Sequence, residues 1–199
     1  CTVETARKVI AACPDAAREI AAIGVSGHSL GAAPVDAEGA PLTEYTPIWT
    51  DPRAGAQAAR FFERVDEEAW YLATGNGFPA KLYAIFKILW LKERLPDVYA
   101  RAACFLGSKD YVNLRLTGVA ATDFSYASGS GVYGLTDWDY RADFVAASGV
   151  AREKLPELHA SSHVLGGLTK EAADALGLRA GIPVVSGGVD NACMATGAG

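Results

Sequence analysis

The chain has 199 residues, half of them apolar, 21% charged and 10% aromatic, a composition that suits one good-sized globular domain and excludes disorder or a fibrous repeat. Lys and Arg number 18 against 23 Asp and Glu, for a net charge of −5 with no basic stripe, which argues against nucleic acid as a partner. The greasiest stretch, Leu82–Leu91, is interrupted by Lys87 and falls short of the roughly 18 apolar residues of a membrane span, so no membrane partner is expected.

In chain order, Val3, Ala6, Val9 and Ile10 recur at helical spacing over Thr2–Cys13, Pro14-Asp15 breaks the pattern, and Ala16–Ile20 adds a turn. Ile20–Ser26 is expected to be a short buried strand, and Ala32–Asp36 with Pro41-Leu42 a hairpin about the turn Ala37–Gly39. Pro47–Asp51 suggests another strand, with Pro52 placed to start a helix over Arg53–Arg64. Helices follow at Asp66–Thr74, Ala80–Arg94 and Pro96–Ala103, the second apolar around most of its surface and therefore core. Cys104–Gly107 is extended, and Ser108–Leu116 is a helix capped by Ser108 and stopped by Gly118. Ala121–Tyr133 is a Ser/Gly-rich loop, and Asp139–Ala147, Arg152–Leu155 and Lys170–Leu176 are surface helices or turns. Gly181–Ser186 is a strand, Gly187–Asp190 a tight turn and Asn191–Ala195 the start of a helix. Strands and helices mix throughout, which gives an α/β class without an internal boundary.

Four cysteines, Cys1, Cys13, Cys104 and Cys193, form no CxxC pair, and His159 and His163 lack both a sustained helix and an intervening glutamate, so neither a disulfide framework nor a metal site is expected. The start at Cys1 and the close at Gly199 suggest a piece of a larger protein. Nothing near the N-terminus has a signal-peptide pattern.

Two motifs compete for the chemistry. Gly27-His28-Ser29-Leu30-Gly31 matches the G-x-S-x-G nucleophile elbow, with Ser29 as the nucleophile of a serine hydrolase. An elbow requires a helix immediately afterwards, whereas Pro34 and the Asp36–Gly39 turn point to a hairpin. The second motif, Val184–Asn191, is a strand running into two glycines and then Asp190 at a helix start, where a carboxylate can meet a ligand at the carboxyl end of the sheet. Helix capping explains Asp190 as well as catalysis does.

The segments Ile23–Gly27, Pro47–Arg53, Lys109–Tyr111, Leu116–Gly118, Thr122-Asp123 with Ser125, Ala127–Ser130 and Gly187–Asn191 occur in an order that resembles the N-terminal domain of FGGY-type carbohydrate kinases, nearest the xylulokinase branch. The resemblance covers nearly the whole chain. It implies a ribonuclease H-like, actin-like fold and transfer of phosphate from ATP, with Mg2+, to a hydroxyl of a ketopentose or polyol. It also implies Asp190 as general base, sugar contacts from Asn191 and Asp51, and a pocket lined by Ser26–Gly31, including His28, Ser29 and Leu30. Trp49 could face a carbon face of the substrate or pack in the core, and Asp51 could equally cap the helix after Pro52. A sugar hydroxyl is a poor nucleophile, so one carboxylate within hydrogen-bond reach serves to take its proton as the bond to phosphorus forms.

The loop departs from the family pattern. Xylulokinases carry glutamine, methionine or a similar residue, then histidine at His28-Ser29-Leu30, and glycerol kinases an arginine–glutamate pair at Ser29 and Leu30; a different polyol or pentulose is therefore plausible. The resemblance further implies a cytoplasmic enzyme and admits a homodimer. On this reading residues 1–199 are a partial domain, without the first phosphate-binding hairpin and the C-terminal ATP domain, and no G-x-x-x-x-G-K-[ST] loop replaces them. The chain alone is then inactive, and a sugar-binding module without catalysis is the alternative.

Overall fold

The computed structural model describes residues 2–13 and 15–199. The break expected at Pro14-Asp15 therefore lies partly outside the described residues. Helix α1 (Thr2–Ala12) and the short α2 (Ala16–Glu19) lead into strand β1 (Ile23–Gly27). The expected buried strand is only half buried, alternating along its length, because β1 forms the edge of a sheet of order β1-β9-β8. Its neighbours there are β9 (Pro183–Val189), parallel to it, and β8 (Val164–Gly167), antiparallel to β9. Strand β2 (Ala33–Val35) pairs antiparallel with β3 (Cys104–Leu106) and closes the expected hairpin by a bridge from Val35 to Pro41.

Pro47–Asp51 is not a strand. It turns, with the Asp51 N–H donating to the Ile48 carbonyl at 3.0 Å. Helices α3 (Gly55–Phe62), α4 (Glu67–Thr74), α5 (Ala84–Arg94) and α6 (Pro96–Arg101) follow, with a 3-10 turn at Ala80–Leu82 splitting the expected helix from Ala80. Asp66 caps α4 by accepting from the Ala69 N–H at 2.8 Å, and Pro96 sits in the first turn of α6, where its missing N–H costs nothing.

Helix α7 (Ser108–Thr117) is not capped by Ser108. Gly107 takes the cap position, and its N–H donates to Asp110 Oδ2 at 3.3 Å. The expected loop over Ala121–Tyr133 instead holds β4 (Ala121–Asp123) and α8 (Phe124–Ser128), with Asp123 as the helix cap. Short strands β5 (Tyr133–Gly134) and β6 (Asp139–Tyr140) pair, α9 (Ala142–Ser148) follows, and β7 (Glu157–His159) runs parallel to β4. Helix α10 (Lys170–Leu176) and the helix α11 (Asp190–Ala198) complete the fold. Both α9 and α10 are amphipathic, burying Phe144 and Val145 in one case and Ala173 and Leu176 in the other.

Three apolar clusters among the described residues hold these elements, the smallest made of Val35, Cys104 and Leu106. Of the two larger, one packs Phe61, Trp70, Phe86, Leu91 and Phe144 between α3, α4, α5 and α9, with Phe61 and Phe86 edge-to-face at 5.2 Å. The other packs Leu116, Leu168, Leu176, Ile182 and Val184 between the β1-β9-β8 sheet and helices α7 and α10. No helix among the described residues is long and apolar enough to cross a membrane.

Candidate active site

Strands β1, β4 and β9 end close together, and the segments that leave them face one cavity. Its volume is about 490 Å3, and Ser29, Leu30, Asn76, Tyr83, Ser125, Ser128, Gly129, Val189 and Asn191 line it. That volume suits a small molecule, and the hydroxyls and amides of the lining suit one rich in hydroxyl groups.

One wall is the loop after β1. Leu30 lies in the left-handed region with φ +63°, a costly conformation for a side chain branched at Cγ. Three consecutive carbonyls of this loop are held from behind. Leu30 O accepts from Lys87 Nζ at 2.8 Å, Gly31 O from the Tyr126 hydroxyl at 2.5 Å and Ala32 O from Thr46 Oγ1 at 2.7 Å. The Leu30 side chain lies against Gly129, where a Cβ would stand 2.7 Å from Leu30 Cδ2 and push that side chain aside. After Gly31 comes β2 and not a helix, which removes the structural context a nucleophile elbow needs at Ser29.

The opposite wall is the end of β9. The expected tight turn at Gly187–Asp190 is absent, because the strand continues to Val189 and Asp190 opens α11 directly. The two glycines make a bulge instead. Pairing steps from Gly24 opposite Val185 to Ser26 opposite Gly188, leaving one extra residue in β9. Gly187 supplies it at φ +70°, and a Cβ there would stand 2.0 Å from the Val25 carbonyl oxygen. The bulge re-aims the strand just before Asp190.

A buried polar cluster supports the bulge. Lys109 Nζ, fully enclosed, donates to Asp110 Oδ1 at 2.5 Å, pairs with Asp123 Oδ1 at 2.8 Å and reaches the Ser186 carbonyl at 3.2 Å, which also accepts from Asn113 Nδ2 at 2.8 Å. Asp123 Oδ2 accepts from the Ser125 hydroxyl and from Ser161 Oγ at 2.8 Å, and Ser125 Oγ accepts from the Val189 N–H at 3.0 Å. Burial pushes the Asp123 carboxyl up, but the Lys109 ammonium and the two serine hydroxyls outweigh it and hold it below the ordinary range. Burial wins at Asp110, whose carboxyl stays above the ordinary range despite Lys109 and Thr122. The chain Lys109–Asp123–Ser125–Val189 thus ties the residue before Asp190 to the protein interior.

Of the residues expected from sequence, Ser29, Leu30 and Asn191 meet at the cavity. Asp190 adjoins it at the first position of α11, half buried, with Oδ1 accepting from the Asn191 N–H at 2.8 Å. Val189 occupies the cap position, so Asp190 is not the helix cap. His28 is exposed outside the lining, and Trp49 is 47% exposed, which rules out core packing for it. Asp51 also lies outside the lining, and it does not cap α3, which begins only at Gly55. Its Oδ1 accepts from the Arg53 N–H at 3.1 Å and Nε at 2.8 Å; burial raises its carboxyl, and Arg53 brings it below the ordinary range. Sequence reading did not assign Ser125, Ser128, Gly129, Asn76 and Tyr83 to the pocket. For the first three the signal was Asp123 two residues before Ser125, a helix cap in a segment otherwise taken for loop. His159 and His163 stack with ring centroids 4.1 Å apart, and no group of three potential metal ligands occurs among the described residues.

The family model "FGGY family of carbohydrate kinases, N-terminal domain" matches residues 1–197. The chain is 30% identical to the xylulose kinase of Bacillus subtilis (strain 168) over 100% of its own length and 39% of that protein's. It is 32% identical to the xylulose kinase of Escherichia coli (strain K12), covering 92% of this chain and 37% of the relative. The crystal structure of a xylulose kinase from Rhodospirillum rubrum superposes with a TM-score of 0.84 at 33% identity, over 90% of this chain and 36% of that one. The chain therefore spans less than two fifths of the length of these relatives.

Proposed function

From the premise that the chain belongs to the FGGY family of carbohydrate kinases, we propose that it is the sugar-binding N-terminal part of a kinase that phosphorylates a hydroxyl of a ketopentose or polyol. The observation that carries this reading is the meeting of Ser29, Leu30, Ser125 and Asn191 around one polar cavity, with Asp190 beside it on the bulged end of β9. Asp190 is the general base. Its carboxylate makes only a local bond to the Asn191 N–H, so it is free to accept a proton from a substrate hydroxyl. Asn191 and Ser29 orient the acceptor hydroxyls, and rigid walls hold the reacting oxygen in place. Xylulose, named for the relatives above, heads the list of acceptors; the replacement of the family's loop residues by His28-Ser29-Leu30 favours testing other pentuloses and polyols beside it.

ATP and Mg2+ belong to this proposal through the family. The described residues hold no cluster of three acidic or imidazole groups, and the sequence has no phosphate-cradling G-x-x-x-x-G-K-[ST] loop, so they do not fit a complete nucleotide–metal site. The steps assigned here concern the acceptor side alone, and the 199-residue chain by itself is expected to transfer no phosphate.

The test is ATP-dependent phosphorylation of a panel of pentuloses and polyols by the full-length kinase carrying this chain. Asp190→Asn should lower kcat by roughly 10²–10⁴-fold, the usual range for a lost proton acceptor. Thermal stability should not change, since asparagine keeps the local bond to the Asn191 N–H. Undiminished turnover in Asp190→Asn removes it as the base, and no phosphorylated product from any acceptor removes the kinase reading.

A further inference from the structure

Helix α5 buries a lysine in the middle of its apolar face. Lys87 has no exposed surface, and its helix neighbours Phe86, Ile88 and Leu91 are buried as well. Burying an ammonium is costly unless it is fully hydrogen-bonded. Lys87 Nζ donates to the Leu30 carbonyl at 2.8 Å and the Ile48 carbonyl at 2.6 Å. The first belongs to the left-handed residue that lines the sugar cavity. The second belongs to the turn carrying Trp49 and Asp51. These segments otherwise touch through the bond from the Ala32 N–H to the Pro47 carbonyl at 3.3 Å and through Thr46 Oγ1 on Ala32 O.

We propose that Lys87 is a positioning residue that clamps the Leu30 wall of the pocket to the Ile48–Asp51 turn, and so sets sugar affinity from behind the pocket. This rests on the kinase reading above. A backbone carbonyl offers only lone pairs, so holding two of them in one spot takes a donor with more than one N–H, and the ammonium has three. Neutral amine keeps donors but loses the charge that makes such bonds strong. Burial lowers the Lys87 ammonium to about 8, partly opposed by Asp51. Asp51, itself paired with Arg53, is the charged group facing it from the 48–51 turn; on the loop side it faces backbone carbonyls, and the neighbouring Tyr126 hydroxyl is engaged by Gly31 O.

The test compares wild type, Lys87→Met and Lys87→Arg in the full-length kinase. Lys87→Met should raise the KM for the sugar about tenfold or more, while the KM for ATP stays within about twofold. The wild-type sugar KM should climb as pH rises through about 8, where the ammonium is lost. The climb should vanish in Lys87→Arg, whose guanidinium stays charged. Amide exchange supplies a readout that needs no activity: Lys87→Met should speed exchange at the Ala32 and Asp51 N–H groups, and unchanged exchange there overturns the clamp. Superimposable pH profiles of wild type and Lys87→Arg, or sugar and ATP KM values moving together, overturn the role in affinity. A wild-type kinase that phosphorylates no sugar overturns the kinase reading instead, and the exchange measurement still decides the clamp. If Lys87→Met fails to fold, the wild-type and arginine profiles still decide the role in affinity.

Discussion

Replacing Lys109 by methionine tests the support behind the proposed base, Asp190. In the wild type one ammonium serves two buried carboxylates and the Ser186 carbonyl, with no part of Lys109 or of the carboxylates exposed. Methionine keeps the side chain as far as Cε and removes the ammonium, leaving Asp110 and Asp123 facing each other. The interior escapes this by protonating one of them. At pH 7 that costs about 4 kcal/mol for a carboxyl that titrates near 3.9 when unfolded, in line with the roughly 3–5 kcal/mol lost when a buried pair is broken. The pH dependence has a definite sign. The carboxyl is raised in the folded variant, so the native state binds the extra proton above about pH 4, and stability falls as pH rises. The deficit against wild type should therefore shrink on acidification, by at most about 1.4 kcal/mol per pH unit, because the wild-type Asp110 carboxyl is itself raised. Urea denaturation of both proteins at pH 7, 6 and 5 measures it. In a chain of this size the loss at pH 7 lowers Tm by about 8–16 °C. A deficit below about 1 kcal/mol at pH 7, or one that does not change with pH, refutes the placement of the ammonium between the two carboxylates.

Two further substitutions probe the route from that cluster to Asp190. Gly187→Ala should cost at least about 2 kcal/mol in urea denaturation, because its Cβ would meet the Val25 carbonyl at 2.0 Å and φ is +70°; a neutral effect would mean the bulge is not built as described. Ser125→Ala removes the acceptor of the Val189 N–H and a donor to Asp123. It should destabilise by about 1–2 kcal/mol and lower kcat more than the sugar KM changes, with Ser125→Thr restoring both in part; steady-state kinetics of the three proteins check it.

Regular elements were legible in the sequence where apolar spacing and caps agree. α3, α4, α6 and α10 fall within the expected spans and α7 runs one residue past its own, since Pro96, Asp66 and the glycines after α4 and α7 mark their ends. The glycines of β9 are legible in the sequence as special, but a bulge and a turn read alike there, because sequence shows that a residue tolerates a positive φ and not whether the chain reverses or merely bulges. The stretch Ala121–Ser128 is illegible for a different reason. It has no periodicity of its own, being only a few residues of strand and then one short helix, held by Asp123 and by burial against distant segments. Pro47–Asp51 has strand-like residues, but Ile48 O is engaged by Lys87, and the segment turns around that contact. Of the expected site, the residues that meet are those attached to strand ends, Ser29, Leu30 and Asn191; Trp49 and Asp51 sit on the turn, one contact further away.

Both walls of the pocket solve the same physical problem in the same way. Each contains a residue in the left-handed region, Leu30 at φ +63° and Gly187 at φ +70°, and irregular backbone of this kind leaves carbonyls that no strand ladder satisfies. Apolar packing fixes the position of such a segment but says little about where its carbonyls point. A buried ammonium does fix it, since an unpaired charge in the interior costs more than the strain it restrains. Lys87 holds the carbonyl of Leu30 itself, and Lys109 holds that of Ser186, the residue before Gly187. The two lysines differ in how their charge is balanced. Lys109 has two carboxylates in direct contact, and Lys87 has only Asp51, already shared with Arg53. The β9 wall, which leads to the proposed base Asp190, is therefore the more firmly fixed of the two. The Leu30 wall is the one that pH within reach of an ordinary assay can loosen.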